Sequence, residues 1–324
     1  MYKFAIIGCG GLGARYIQSL AKFKAEATVY AVDVSKEALE KAKELFEGNN
    51  PAAQVKLCLC SQIEELDDEI DIAAVVTTSG IRRGLTEQLL NSKKVKYLIL
   101  EKVLFPCAED YEEIKKLLEE KNVKAWINCN RRCFPFYKEL KKDFEGQKLR
   151  FILTGGMWGI GCNTIHYLDL INYITGSAEG IVINPSGLDQ QVVESKRKGY
   201  MEFTGTIEGR TAECSYFSMT SKKGEVEPVI YTIISDEVMY VVNESELYAC
   251  RMRRENHWRR EDFTLTAYYQ STVTSTLFEE ILAKGSCDLP DYETAQREHL
   301  PFIKAILEFL SDQRGEEVKS CPIT

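Results

Sequence analysis

Between Lys3 and Asp33 the chain reads KFAIIGCGGLGARYIQSLAKFKAEATVYAVD, and few stretches leave a chain so little choice of fold. Phe4 to Ile7 is a short apolar, β-branched-rich run that stops at a glycine, and Leu12, Tyr16, Leu20 and Phe23 then recur at helical spacing. The residues therefore specify a strand, a tight turn and a helix. Gly8, Gly10 and Gly13 stand in G-x-G-x-x-G order, with Gly11 and Leu12 between the last two. In this arrangement the first glycine permits the sharp turn, the second lets the backbone approach a pyrophosphate, and the third lets helix and strand pack closely. The free N–H groups and the dipole at the helix N-terminus favour the phosphates there. A second apolar run, Thr28 to Val32, ends in Asp33, twenty residues beyond Gly13, where a carboxylate accepts hydrogen bonds from a ribose hydroxyl. The stretch predicts a dinucleotide site. Asp33 favours NAD over NADP, because it would repel a 2′-phosphate and no arginine follows it.

The rest of the chain extends this unit. After Asp33, Ser35 is placed to cap a helix whose buried side is Ala38, Ala42, Leu45 and Phe46, ended by Gly48 to Pro51. Val55 to Cys60 reads as a strand, and Ile70 to Thr77 as a nearly continuous apolar strand of the kind covered on both faces of a parallel sheet. A helix from Arg82 to Asn91, the strand Tyr97 to Glu101, a helix burying Tyr111, Ile114, Leu117 and Leu118, and the strand Val123 to Asn128 continue the alternation. Strands alternating with helices specify a doubly wound parallel sheet. Its ligands lie at the carboxyl ends of the strands, so Gly8, Asp33, Thr77, Thr78, Glu101, Lys102 and Asn130 are expected to border one crevice.

Beyond Arg132 the pattern changes. A helix from Phe136 to Phe144, the strand Leu149 to Thr154 and a helix from Thr164 to Ile174, ending at Gly176, precede a run of strands: Tyr200 to Ile207, Thr211 to Met219, Val229 to Ser235, Val238 to Val242 and Glu246 to Arg251. Turns are expected at Glu208-Gly209 and at Lys222 to Gly224. Helices return at Thr272 to Lys284 and Tyr292 to Leu310, and Ser311 to Thr324 reads as a polar tail. The expected architecture is α/β: a Rossmann domain over residues 1–131, then an α+β domain over residues 132–324 with a large, mostly antiparallel open sheet. A length of 324 residues fits two domains, and a 44% share of hydrophobic residues suffices for substantial cores.

Charge and composition narrow the partners. A net charge of -8 argues against nucleic acid or an anionic membrane surface. The start MYK runs directly into the first strand, and no apolar run approaches the ~20 residues of a membrane span, so a cytoplasmic protein is expected. The eleven cysteines are odd in number and form no C-x-x-C, which predicts reduced thiols rather than disulfides or zinc ligands. Five arginines between Arg251 and Arg260 are expected to form a solvated hairpin or an oligomer contact.

Three motifs give the chain a likeness over nearly its full length to the Gfo/Idh/MocA family of NAD(P)-dependent oxidoreductases, the glucose–fructose oxidoreductase and inositol dehydrogenase group. They are GCGGLG at Gly8 to Gly13, Glu101-Lys102-Val103 in the place of the family's E-K-P, and the segment GCNTIHYLDL around His166; Asn130-Arg131-Arg132 resembles the N-R-R that opens the family's second domain. The resemblance implies an NAD cofactor, a lysine at position 102 between nicotinamide and substrate, a catalytic histidine at position 166, and a homo-oligomer, dimer or tetramer, built through the second domain's sheet. Val103 departs from the family's proline. A cis bond before valine costs about 2.5–4 kcal/mol, so a different presentation of Lys102 is expected. Cys162 occupies the place of an aspartate.

Hydride removal from a carbinol requires a base of near-neutral pKa within reach of the hydroxyl proton. His166 is the candidate base, Lys102 the candidate to polarise the reacting oxygen or share the proton, and Asn163 and Arg131 candidate substrate contacts, with Asn163 equally suited to cap its helix and Asp169 on the same helical face as His166. The expected activity is oxidation, or reduction in reverse, of a secondary alcohol on a sugar, a sugar derivative or a polyol. Two alternatives stand beside it: a redox-neutral enzyme with retained NAD, for epimerisation, elimination or glycoside cleavage, and a non-catalytic dinucleotide-binding regulator. Lys102, Arg82, Arg83 and Arg131 are expected to converge on one mouth and to favour an anionic sugar.

Overall fold

The computed structural model describes residues 1–177, 180–224 and 227–324. The chain divides into two compact units, the first made of Met1–Phe105, Glu109–Asn128 and Tyr268–Tyr292, the second of Pro106–Ala108, Cys129–Ala267 and Glu293–Thr324.

The first unit begins β1 (Tyr2–Ile7), α1 (Gly11–Leu20), β2 (Ala27–Val32), α2 (Lys36–Gly48) and β3 (Val55–Cys60). It continues with β4 (Glu69–Val75), α3 (Ser79–Ser92), β5 (Lys94–Leu100), α4 (Glu109–Glu120) and β6 (Lys124–Ile127). The six strands form one sheet in the order β3-β2-β1-β4-β5-β6, every pair parallel. This is a doubly wound sheet whose strand order reverses between β1 and β4. All six residues of β2 and four of β1 are buried, as strands covered on both faces require. Ser35 caps α2, its Oγ accepting from the Ala38 N–H at 3.2 Å. The buried stripe of α2 is Leu39, Ala42 and Phe46. Ala38 and Leu45 are only half-buried, because the stripe is centred one residue away from the expected position.

In the second unit come α5 (Pro135–Phe144), β7 (Arg150–Gly156), α6 (Ile160–Thr175), β8 (Ile181–Asn184), β9 (Val193–Glu194), β10 (Met201–Glu202), β11 (Gly205–Thr211) and β12 (Tyr216–Lys222). Then follow β13 (Ile230–Ile234), β14 (Val238–Asn243), β15 (Tyr248–Arg253), β16 (Arg260–Thr264) and, after α7 (Gln270–Lys284) of the first unit, α8 (Tyr292–Arg314). Eight of these strands make a mostly antiparallel sheet in the order β16-β15-β14-β13-β7-β12-β11-β8. Its inner face is closed by aromatic contacts to α5 and α6: Phe144 and Phe136 against Tyr240, and Tyr167 against Phe151 and Tyr231.

Several expectations need correction. Glu208-Gly209 lies within β11 and not in a turn. The residue is glycine because a Cβ there would stand 2.5 Å from the Phe217 ring and 2.1 Å from the Val182 carbonyl oxygen on the two neighbouring strands. The hairpin closes instead through residues 212–215, where Thr211 N–H bonds to Ser215 O. The single strand expected from Tyr200 is broken into β10 and β11. The tail is not wholly polar surface: Cys321 and Ile323 are buried, and Cys321 N–H bonds to Pro106 O. The first unit ends at Asn128 rather than at residue 131, and α7 returns to it. The reason is packing on α1 and β1, through the Ser275 N–H to Ser19 Oγ bond at 3.0 Å and the edge contact of Phe278 with Phe4. Residues 225 and 226, just past the expected turn at Lys222 to Gly224, lie outside the described residues.

Candidate functional site

The residues singled out in the sequence fall into two groups, one in each unit. The first surrounds the turn after β1. Gly8 has φ +94, and a Cβ on Gly13 would lie 1.8 Å from the Gly8 carbonyl oxygen, so only glycine lets α1 pack this closely on the turn. Cβ positions at Gly10 and Gly11 meet nothing within 4 Å, which leaves the space above the helix start open for a ligand. The first turn of α1 carries no acidic residue, so its unpaired N–H groups and positive dipole end remain available to an anion. Asp33 sits at the end of β2. Its Oδ2 accepts from the Cys9 N–H at 2.7 Å and its Oδ1 from the Ser35 N–H at 2.8 Å. Each oxygen keeps a lone pair for a ribose hydroxyl. Thr77, just past β4, presses on the turn, its Cγ2 2.7 Å from where a Gly8 Cβ would be, and its Oγ1 is buried without a protein partner. Thr78 follows as the N-cap residue of α3. Open glycines, a bare helix end, a fixed carboxylate and an orphaned hydroxyl fit a dinucleotide.

Glu101 stands at the carboxyl end of β5. It is buried, and its Oε1 accepts from Tyr16 Oη at 2.7 Å and Asn128 Nδ2 at 2.6 Å, so it ties α1 to the ends of β5 and β6. Asn128 also donates to Gln270 Oε1 at 2.9 Å, at the start of α7. Lys102 is half-buried beside it, and the Lys102–Val103 peptide bond is cis, against the expectation raised by the valine.

Of the cations anticipated at one mouth, the three arginines are engaged by protein partners. Arg82 is buried and donates to the carbonyl oxygens of Thr77, Val103 and Leu104, the last at 2.8 Å. Arg83 pairs on the surface with Glu113 at 2.6 Å and Asp110 at 3.5 Å. Arg131 forks onto Glu244, with Nε to Oε1 at 2.9 Å and Nη2 to Oε2 at 2.8 Å, while its guanidinium lies 4.6 Å from the centre of the Tyr167 ring. Tyr137 and Tyr231 hydroxyls also donate to Glu244. Burial raises the Glu244 carboxyl, but Arg131 and these hydroxyls outweigh burial and hold it below its ordinary range. Arg131 is thus a network residue rather than a waiting substrate contact. The arginine-rich segment is the β15–β16 hairpin, crossed by Arg251–Glu261 at 2.5 Å and tied to α5 by Arg253–Asp143 at 2.6 Å, with Arg260–Asp262 at 2.7 Å along β16.

The second group rides on α6, preceded by the short 3-10 turn Asn130–Cys133 that carries Asn130. The helix begins at Ile160, four residues before the expected start, after Gly159 at φ +84. No Ser, Thr, Asp or Asn is available as N-cap there, and a remote carboxylate does the work: Glu202 of β10 accepts from the N–H groups of Gly161 at 2.7 Å and Cys162 at 3.1 Å. A glycine at the cap position signals the need for such a partner but does not reveal which residue supplies it. Asn163 is not the cap; its Nδ2 donates to the Trp158 carbonyl at 2.6 Å. His166 is half-buried one turn further along. Asp169 does not stay in solvent but is fully buried, its Oδ1 2.6 Å from Arg132 Nη2. All eleven cysteines are free, and no cluster able to hold a metal ion occurs among the described residues.

Known proteins share this architecture. Residues 2–129 match the oxidoreductase family with NAD-binding Rossmann fold, GFO_IDH_MocA. Over those residues the first unit is an NAD-binding Rossmann domain of that type. No curated protein matches it in sequence. Solved structures of the same fold include UDP-N-acetylglucosamine 3-dehydrogenase from Acidithiobacillus ferrooxidans, at 17% identity and TM-score 0.69 over 95% of this chain and 99% of that one. Scyllo-inositol dehydrogenase from Lactobacillus casei, with NAD(H) and scyllo-inositol, aligns at 16% and 0.68 over 98% and 99%. A super-repressor mutant of Gal80p from Saccharomyces cerevisiae aligns at 15% and 0.68 over 98% and 97%. At these identities the likeness is one of fold.

Proposed function

We propose that the protein is an NAD-dependent dehydrogenase that oxidises, or in reverse forms, a secondary alcohol of a sugar, sugar derivative or polyol. The observation that carries this reading is the cradle of Gly8, Gly10, Gly13, Asp33 and Thr77 in the first unit, followed along the same sheet by Lys102. NAD, when bound, supplies the hydride acceptor. In the oxidation His166 takes the hydroxyl proton as the carbinol C–H bond breaks and the carbonyl forms, becoming imidazolium, and Lys102 donates a hydrogen bond to the reacting oxygen. The half-buried position of both side chains suits groups that must meet a ligand and still exclude bulk water.

Lys102→Ala and His166→Ala are each expected to cut turnover about a hundredfold or more with NAD affinity nearly unchanged. Near-full activity of His166→Ala across the pH range would mean that another group is the base. A second reading, a dinucleotide-binding regulator, draws on the fold shared with the Gal80p mutant and on Cys162 in place of the family's aspartate.

The outer face of the eight-stranded sheet joins copies of the chain. Ile152, Val182, Tyr216 and Ile230 are exposed there by 44, 61, 53 and 38%, and the first three line a groove of about 510 Å³. An apolar patch of this kind on one sheet face is what a subunit interface buries. Ile152→Lys is expected to lower the sedimenting mass to that of a monomer; a wild-type protein that already sediments as a monomer would refute the interface.

A further inference from the structure

Arg82 is the largest fully buried side chain among the described residues, and it occupies the first turn of α3, where the helix dipole disfavours a cation. Burying a guanidinium costs several kcal/mol unless its donors are met. Here Nη1 and Nη2 donate to backbone carbonyls of two separate segments: Thr77 on one side, and Val103 and Leu104 on the other. Thr77 is the residue that presses on Gly8, and Val103 is bonded directly to Lys102. We infer that Arg82 is a positioning residue, a fork that fixes the segment carrying Lys102 against the end of β4 and so sets where the lysine ammonium stands relative to the glycine-rich turn.

The alternative demand, merely closing the start of α3, does not need this side chain. Free N–H groups at a helix start call for an acceptor, and a guanidinium only donates. A lysine would keep the charge but present a single nitrogen, which lacks the rigid fork that spans carbonyls on two segments. The chemistry is specific to a planar, multiply donating cation. This inference rests on the proposed role of Lys102 in contacting substrate, but its test does not.

The test measures the rate at which Lys102 is acetylated by acetic anhydride, quantified by peptide mass spectrometry against the exposed Lys24 and Lys94 of the same molecule. It is run on the full-length wild type, Arg82→Ala and Arg82→Lys, each with and without millimolar guanidinium chloride. With three hydrogen bonds from a charged donor removed, Lys102 of Arg82→Ala is expected to react at least about tenfold faster relative to the reference lysines. Guanidinium ion, but not equimolar potassium chloride, should bring the rate back toward wild type. A folded Arg82→Ala protein with Lys102 reacting at the wild-type rate overturns the inference. If Arg82→Ala does not fold, Arg82→Lys decides, and an unchanged Lys102 rate in that variant overturns it equally. Turnover is followed in parallel: a wild type that converts no alcohol discards the dehydrogenase reading while the labelling result still judges Arg82, and altered labelling with intact turnover discards the role of Lys102 alone.

Discussion

At the scale of single residues, Asp33 defines the cofactor. Its two oxygens are held by the Cys9 and Ser35 amides, so the carboxylate cannot swing aside to admit a phosphate, and a 2′-phosphate placed against it would meet a fixed negative charge. The protein is expected to bind NAD more tightly than NADP, and Asp33→Ala should narrow the preference by weakening NAD and relieving the repulsion on NADP. Dissociation constants for both dinucleotides, measured calorimetrically on the two proteins, check this; tighter NADP binding by the wild type would contradict it. The strand-turn-helix around the glycines was legible in the sequence, because each glycine acts through its local backbone. The sequence told the fate of the arginines poorly. Nothing near Arg82 or Arg131 in the chain announces the carbonyls of Val103 and Leu104 or the carboxylate of Glu244, which only the fold brings to them.

At the scale of elements, α6 and α8 are locked by a buried charge cluster. Asp169 and Glu298 are both fully buried, with Arg132 Nη2 reaching Asp169 Oδ1 at 2.6 Å and Glu298 Oε1 at 3.5 Å, and Asn172 Nδ2 donating to Glu298 at 3.0 Å. Two carboxylates here share one guanidinium, so the pair retains a proton. Burial, then the charge of Asp169, hold the Glu298 carboxyl well above its ordinary value of 4.5. A carboxyl raised in the folded state takes up a proton on folding, so its contribution to stability is greatest below the unfolded value and declines as pH rises toward the folded one. Glu298→Gln removes that decline, because an amide can donate to Asp169 and accept from Asn172 without a proton. The variant should gain on the wild type by up to about 1.4 kcal/mol per pH unit as pH rises above 4.5. Thermal unfolding from acid to mildly alkaline pH measures it, and parallel curves for the two proteins would show that Glu298 is ionised when folded. The elements themselves were largely legible, since periodicity fixed all the strands of the parallel sheet. The β-rich half was less so. Gly209 reads as a turn signal in sequence yet serves a cross-strand collision with Phe217, and α6 starts early because Glu202, forty-one residues after Gly161, caps it.

At the scale of the whole molecule, two units with separate cores carry separate shares of the proposed chemistry, the dinucleotide cradle and Lys102 in one and His166 in the other. No helix among the described residues is long and apolar enough to cross a membrane. The return of residues 268–292 to the first unit was hidden from the sequence, because the partners of α7, Ser19 and Phe4, lie at the other end of the chain. The central claim is that these parts together move a hydride between an alcohol carbon and NAD. Purified protein with NAD and a panel of sugars, sugar derivatives and polyols, followed at once by reduced-nicotinamide absorbance and by mass spectrometry of the substrate, tests it most directly. The account predicts rising absorbance matched mole for mole by a product two hydrogens lighter than its substrate, whereas a substrate converted with no net reduction of NAD, or tight NAD binding with every candidate left unchanged, would contradict it.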